Sequence, residues 1–163
     1  MNERRGLFER LPVGLVPILK EIARVLLRRP VVGISAVARR ADGHILLIKR
    51  GDTGTWALPG GTLEWGEAAA VTLARELREE AGATLRSTGR LVGVYTRPDR
   101  DARMHAISIV VEAEVEAALS GPENPMEIHD ARFFAPDALP QPLAYTGDDM
   151  LRDALERQDA HWE

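Results

Sequence analysis

The sequence predicts a mixed α/β fold. Three observations carry that expectation. Apolar residues recur at helical spacing in three separate stretches, near 17–29, 67–81 and 148–158. Runs with strand composition or strand alternation lie between them, at 31–39, 45–49 and 107–115. The coarse order is helix, strands, helix, strands, helix, and no repeat or low-complexity linker divides it. At 163 residues a single core suffices. The organisation read from this is a basic extension with an amphipathic helix over 1–30, followed by one domain over 31–163.

The extension carries Arg4, Arg5, Arg10, Lys20, Arg24, Arg28 and Arg29. From Pro17, a residue tolerated in a first turn, Ile18, Ile22, Val25 and Leu26 repeat at helical spacing, and Pro30 stops the pattern. This helix reads as packed on its own domain; a subunit contact, giving a homodimer, and a membrane-surface helix are the alternatives. Val31 to Arg39 reads as a buried strand, Ala41-Asp42-Gly43 as a turn and Ile45 to Lys49 as the return strand of a hairpin. WALPG, residues 56–60, reads as a strand ending in a turn, because Pro59-Gly60-Gly61 breaks any regular element. A helix follows Gly66, with Glu67 in its first turn and Gly82 as its stop. Its inner stripe is expected to be Ala70, Leu73, Ala74, Leu77 and Ala81.

Residues 84–96 read as a strand broken near Ser87–Gly89, and 97–103 as a charged loop. Ile107 to Val115 reads as a half-exposed strand, with Glu112, Glu114 and Glu116 on its wet side. A loop over 120–130 precedes a short strand at Ala131–Ala135. Proline-punctuated coil then leads to a last helix from Asp148, with Met150, Leu151, Ala154 and Leu155 as its inner face.

Composition narrows the function classes. The net charge of −4 gives no sign of a large nucleic-acid surface. There is no cysteine, which excludes a disulfide framework, a thiolate nucleophile and a cysteine zinc site, and fits a cytoplasmic enzyme. No run of 18 apolar residues indicates a transmembrane segment.

The chemistry concentrates on the 67–81 helix. Glu76, Glu79 and Glu80 stand at i, i+3 and i+4, roughly 5–6 Å apart at Cβ. Taken alone they read as a solvated acidic face, partly neutralised by Arg75 and Arg78. A hard divalent cation such as Mg²⁺, which prefers carboxylate and water oxygens and bridges to phosphates, is the other way to relieve their repulsion.

The stretch Gly61–Ala83 resembles the signature of the Nudix hydrolases, which cut nucleoside diphosphates linked to another moiety. The matching residues are Gly61, Glu67 and Arg75-Glu76-Leu77-Arg78-Glu79-Glu80-Ala81-Gly82-Ala83; only Ala83 is smaller than the family's usual aliphatic residue. WALPG before the motif and ARFFAPDALP near the end are also similar to the family.

The resemblance implies an α/β/α sandwich around a mixed sheet. It implies that Glu76, Glu79 and Glu80 hold Mg²⁺ (Mn²⁺ as substitute), joined by the Gly60 carbonyl. It implies that Arg75 orients the glutamates and that Glu67 supports loop and helix geometry. A general base outside the motif is implied, with Glu127 the first candidate, then Glu123, then His105 and His129.

The stretch 95–111 and the tail PLAYTGDDMLRDAL are similar to ADP-ribose pyrophosphatases of this family. Arg97, Arg100 and Arg103 of that stretch would pair with a terminal phosphate or ribose, a mobile charged loop being the alternative; Arg50, read from its place at a strand end, would meet phosphate or be simply an exposed strand end. The expected substrate is therefore a small nucleotide, ADP-ribose or a nucleoside diphosphate sugar. Oxidised nucleoside triphosphates, dinucleoside polyphosphates and capped RNA ends are alternatives. A module that senses a nucleotide without cutting it is the reading from another class.

Overall fold

A computed structural model describes residues 29–163. The expected helix over 17–29 and the 1–30 extension lie outside the described residues except for Arg29 and Pro30. The described chain forms one mixed sheet with a helix on each face.

The strands are β1 (Val31–Arg39), β2 (Ile45–Arg50), β3 (Trp56–Ala57), β4 (Gly60–Thr62), β5 (Leu85–Tyr95), β6 (Ala106–Val115), β7 (Ile128–Phe134) and β8 (His161–Trp162). The helices are α1 (Ala69–Ala81) and α2 (Gly147–Glu156), the latter preceded by a 3₁₀ turn at Ala144–Thr146. The strand order is β3-β2-β1-β6-β5-β8, with β4 also on β1 and β7 also on β2. β1 runs parallel to β6 along its whole length, while β1–β2, β2–β7 and β5–β6 are antiparallel. No helix among the described residues is long and apolar enough to cross a membrane.

The two-sided core explains why β1 and β2 have continuous apolar runs. Side chains alternate across a strand. Ala36, Ala38, Leu46 and Ile48 therefore join Leu73, Leu77 and Ala81 of α1 on one face. Val37, Ile45 and Leu47 join Met150, Leu151 and Ala154 of α2 on the other.

The β1–β2 hairpin closes as expected, with Gly43 at φ 87° and Arg40 bonded to Asp42 across the turn. After the turn, β1 pairs β2 only at Arg39–Ile45 and then takes β4 at Gly33–Ser35. WALPGGT thus spans the gap between β2 and β1 and carries Gly60 to the sheet's edge. The second short strand, β4, was not expected, because a Gly-Gly pair gives no strand signal.

Four expectations are corrected. α1 starts at Ala69, so Glu67 precedes the helix instead of lying in its first turn. Gly66 at φ 82° and a turn from the Glu64 carbonyl to the Glu67 N–H occupy the entry. Second, Ala70 and Ala74 face solvent; the buried face is Thr72, Leu73, Leu77, Glu80 and Ala81. Apolar spacing misplaced the stripe because it left out Glu80, which is buried by a backbone partner described below.

Third, Leu155 is exposed; fourth, β5 runs unbroken through Ser87–Gly89, absorbing the irregularity as shifts of register against β6. The half-exposed reading of β6 holds: Glu114 and Glu116 are exposed, while Val110 on the same face is fully buried on the α2 side. The stop at Gly82 holds: it sits at φ 62° and donates its N–H to Arg78, while the Ala83 N–H reaches Leu77.

Candidate functional site

A cleft of about 410 Å³ opens at the edge of the sheet where β1, β4 and α1 meet the 97–104 loop and the turn before α2. Its size suits a small-molecule ligand. Glu76, Glu80, Arg75, Gly60 and Gly61 give it an acidic cluster, and Glu127 comes from the loop before β7. Arg50, Arg100, Asp101, Arg103 and Tyr145 add a basic cluster, with Arg50 within electrostatic reach of Glu80.

The acidic side is built by two glycines and one arginine. The Gly60 N–H donates to Glu80 Oε2 at 2.8 Å. A Cβ at Gly60 would collide with backbone of Ile34 and Ser35, and one at Gly61 would occupy the place of the Glu76 carboxylate. Glycine is therefore required at both positions by close approach. Arg75 reaches back to Glu67 through Nε and Nη2 at 3.2 and 3.1 Å, and forward through Nη1 to Glu76 at 2.9 Å and Glu79 at 3.3 Å. Glu67 also accepts from the Thr72 hydroxyl at 2.8 Å. Arg75 and Thr72 together hold its carboxyl down to about 2.

Charge is not balanced inside. Glu80 is 6% exposed, and burial pushes its carboxyl up to about 8, with Glu76 and Glu127 adding repulsion against the Gly60 N–H and Arg50. Burial also raises Glu76, opposed by Arg75. Glu79 is turned outward, bonded by Arg78 at 3.0 Å as well as by Arg75, and does not line the cleft.

Among the described residues, no three acidic side chains already converge as a metal-binding group. The donor chemistry nonetheless fits a hard divalent cation. Glu76, Glu80 and Glu127 are carboxylates lining one cleft, burial raises the first two, and a cation is what would stabilise them charged.

Glu127 is exposed at the cleft edge. Its loop is pinned by its own carbonyl, which accepts the Gly51 N–H at 2.7 Å; a side chain at Gly51 would strike that loop. Glu123 lies outside the cleft lining, 3.9 Å from Arg78. His105 bonds the Thr96 carbonyl at 2.8 Å, and neither it nor His129 lines the cleft.

The basic side is an interlocked cluster. Asp52 accepts from Arg50 at 2.9 Å, from Arg103 at 2.9 Å and from the Tyr145 hydroxyl at 3.0 Å. Arg50 and Tyr145 hold its carboxyl down to about 2. The Arg50 and Arg103 guanidinium groups lie 5.4 and 4.3 Å from the Tyr145 ring centre, within cation–π range. Arg103 also bonds Asp101 at 2.8 Å.

Arg100 is mostly committed elsewhere. It is buried over the Tyr95 ring, ion-paired with Glu163 and bonded to Thr146 at 2.6 Å. Arg97 does not line the cleft; it is half-exposed beside Asp99 and Glu163. The sequence reading missed Asp52, Asp101, Tyr145 and Glu163. Tyr145 lies in a tail segment whose overall similarity was seen, but nothing in spacing marked that one residue.

With this geometry in hand, comparisons with known proteins agree with one another. The family model of the NUDIX domain matches residues 29–154. An ADP-ribose pyrophosphatase of Methanocaldococcus jannaschii is 37% identical over 130 residues, spanning 77% of this chain and 73% of that protein. The crystal structure of a MutT NUDIX hydrolase from Burkholderia pseudomallei superposes with a TM-score of 0.64 at 35% identity, covering 77% of this chain and 98% of that one. The NUDIX domain of Shewanella oneidensis NrtR, solved with ADP ribose, superposes with a TM-score of 0.71 at 21% identity over 86% of this chain and 98% of that one, a likeness of fold.

Proposed function

The chain belongs to the Nudix family and is a pyrophosphohydrolase, and from that premise we propose that its substrate is ADP-ribose or a related nucleoside diphosphate sugar. The observation that supports the proposal is a single cleft of about 410 Å³ that brings Glu76, Glu80 and Glu127 together with Arg50 and Arg103. In this reading the carboxylates take the pyrophosphate through a bound cation and the arginines take the rest of the molecule. The M. jannaschii relative, an ADP-ribose pyrophosphatase by name, supports the same substrate.

The reaction is hydrolysis: one water and ADP-ribose give AMP and ribose 5-phosphate, with one P–O bond formed and one broken. Family members generally need divalent metal ions. In our proposal the metal is Mg²⁺, replaceable by Mn²⁺, and the residues that would hold it are Glu76, Glu80 and the Gly60 carbonyl, joined by Glu79 once its carboxylate leaves Arg78 and turns toward the cleft. Bound there, it would supply Lewis-acid stabilisation of charge on the phosphoryl oxygens.

The chain's own groups do the rest. Arg75 holds Glu76 and Glu79 in place. Glu127, a carboxylate on the cleft edge, accepts the proton of the attacking water. Arg50 and Arg103 bind the distal phosphate and sugar; Arg100 and Arg97 support their loop. The absence of cysteine is in keeping with a cytoplasmic enzyme.

A panel of ADP-ribose, nucleoside diphosphate sugars, nucleoside triphosphates and dinucleoside polyphosphates, with Mg²⁺ and Mn²⁺ in ¹⁸O water, tests this. Preferred turnover of ADP-ribose is expected, and the label names the phosphorus attacked. Preference for a triphosphate would overturn the substrate assignment.

A further inference from the structure

Glu163 lies outside the cleft lining, yet it bonds Thr96, Arg97 and Arg100, which flank the cleft's basic cluster. Its side chain accepts from the Thr96 N–H at 2.9 Å and the Arg97 N–H at 3.0 Å, at the root of the loop that carries Arg103. It also ion-pairs with Arg100. Arg100 in turn donates to Thr146 Oγ1 at 2.6 Å.

Thr146 and its neighbour Tyr145 are both in left-handed backbone, at φ 56° and 55°. Two consecutive non-glycine residues in that region are strained and persist only when surrounding contacts over-determine them. Tyr145 is the residue that Arg50 and Arg103 pack against. Glu163 is itself placed by β8, which pairs His161 with Gly93 and Trp162 with Val94. The His161 ring stacks on Tyr95 at 5.1 Å, and Gly93 lacks the Cβ that would strike His161.

We propose that Glu163 is a positioning residue: through the 96–103 loop, Arg100 and Thr146 it fixes Tyr145, and so the Arg50–Arg103 pair that receives the substrate. The proposal rests on the reading of ADP-ribose in this cleft. It assigns the end of β8 to substrate affinity, while the carboxylate wall sets the chemical step.

Glu163→Gln keeps the shape and removes the charge. With ADP-ribose it should raise KM about 5–20-fold and leave kcat within about two-fold, the signature of lost uniform binding. In an Arg103→Ala background the same change should add little to KM, because its route to the substrate is already cut. A purely structural role would instead give additive effects.

A second readout needs no substrate. In ¹⁵N spectra, Glu163→Gln should shift the Arg50 and Arg103 Nε–H signals and spare that of Arg40, which bonds only Asp42 among the described pairs. Unmoved Arg50 and Arg103 signals, or an unchanged KM, would overturn the proposal. If wild-type protein does not hydrolyse ADP-ribose, the substrate reading fails and the spectra alone decide the positioning role. Should Glu163→Gln not fold, Thr146→Val cuts the last link and is read in the same way.

Discussion

The Gly60 N–H donates to the Glu80 carboxylate at 2.8 Å, across a sequence separation of 20 residues. This one bond ties the turn after β3 to the inner face of α1 and puts a buried carboxylate at the head of the cleft. It also ties the motif to the residue just before it: Gly60 brings backbone close enough for Glu80 to be held without an ion-pair partner of its own.

The two glycines should fail differently. A Cβ at Gly60 meets backbone, which cannot yield, so Gly60→Ala should cost about 1–3 kcal/mol in urea unfolding. At Gly61 the obstacle is the end of the Glu76 side chain, which swings aside. Gly61→Ala should therefore melt near wild type while turnover drops about 10–100-fold, as expected for a displaced active-site group.

Arg75 links three glutamates, and a lysine lacks the fork needed to do so. Arg75→Lys should lower kcat about 10–100-fold, the usual cost of disturbing groups that orient ligands. Steady-state kinetics with saturating Mg²⁺ measures it.

Acid should loosen the Glu163 latch. Arg100 and the Thr96 and Arg97 N–H groups hold its carboxyl down to about 2, against an ordinary value of 4.5. A folded-state value below the unfolded one gives stability that is present above about pH 4.5 and is lost as pH falls through about 2. Glu163→Gln should remove about 1.5–3 kcal/mol at pH 6. Its melting temperature should also fall less than that of wild type between pH 5 and pH 3, as read by thermal melts across that range.

Tyr95 offers a fold-only contrast. Its hydroxyl donates to Asp153 at 3.0 Å in the α2-side core, away from the carboxylates. Tyr95→Phe leaves a buried carboxylate short of a donor and should cost about 1–3 kcal/mol, with kcat unchanged.

Legibility followed the range of the forces involved. α1 was readable because its stop is local: Gly82 supplies the left-handed residue, and Leu73 and Leu77 mark the core side. β1 was readable from its own composition. The inner place of Glu80 was not, since a buried glutamate breaks the apolar pattern and its partner is backbone from another element. β6 was readable as half-exposed from its alternation; the burial of Val110 against α2 was not, because its face otherwise carries Ser108, Glu112 and Glu114. β8 gave no signal; two residues held by stacking on Tyr95 have no period. The basic wall was half visible: arginines announce charge, but the role of Tyr145 depends on a turn conformation that no spacing encodes.

The central claim is that the buried wall of Glu76 and Glu80 carries the hydrolysis. Turnover of ADP-ribose by Glu80→Gln, measured with Mg²⁺ beside wild type and alongside its thermal melt, tests this most directly. We predict a loss of at least about 100-fold in kcat with a melting temperature close to wild type, because the amide keeps an oxygen to accept the Gly60 N–H. Turnover within a few-fold of wild type from a folded variant would contradict the account.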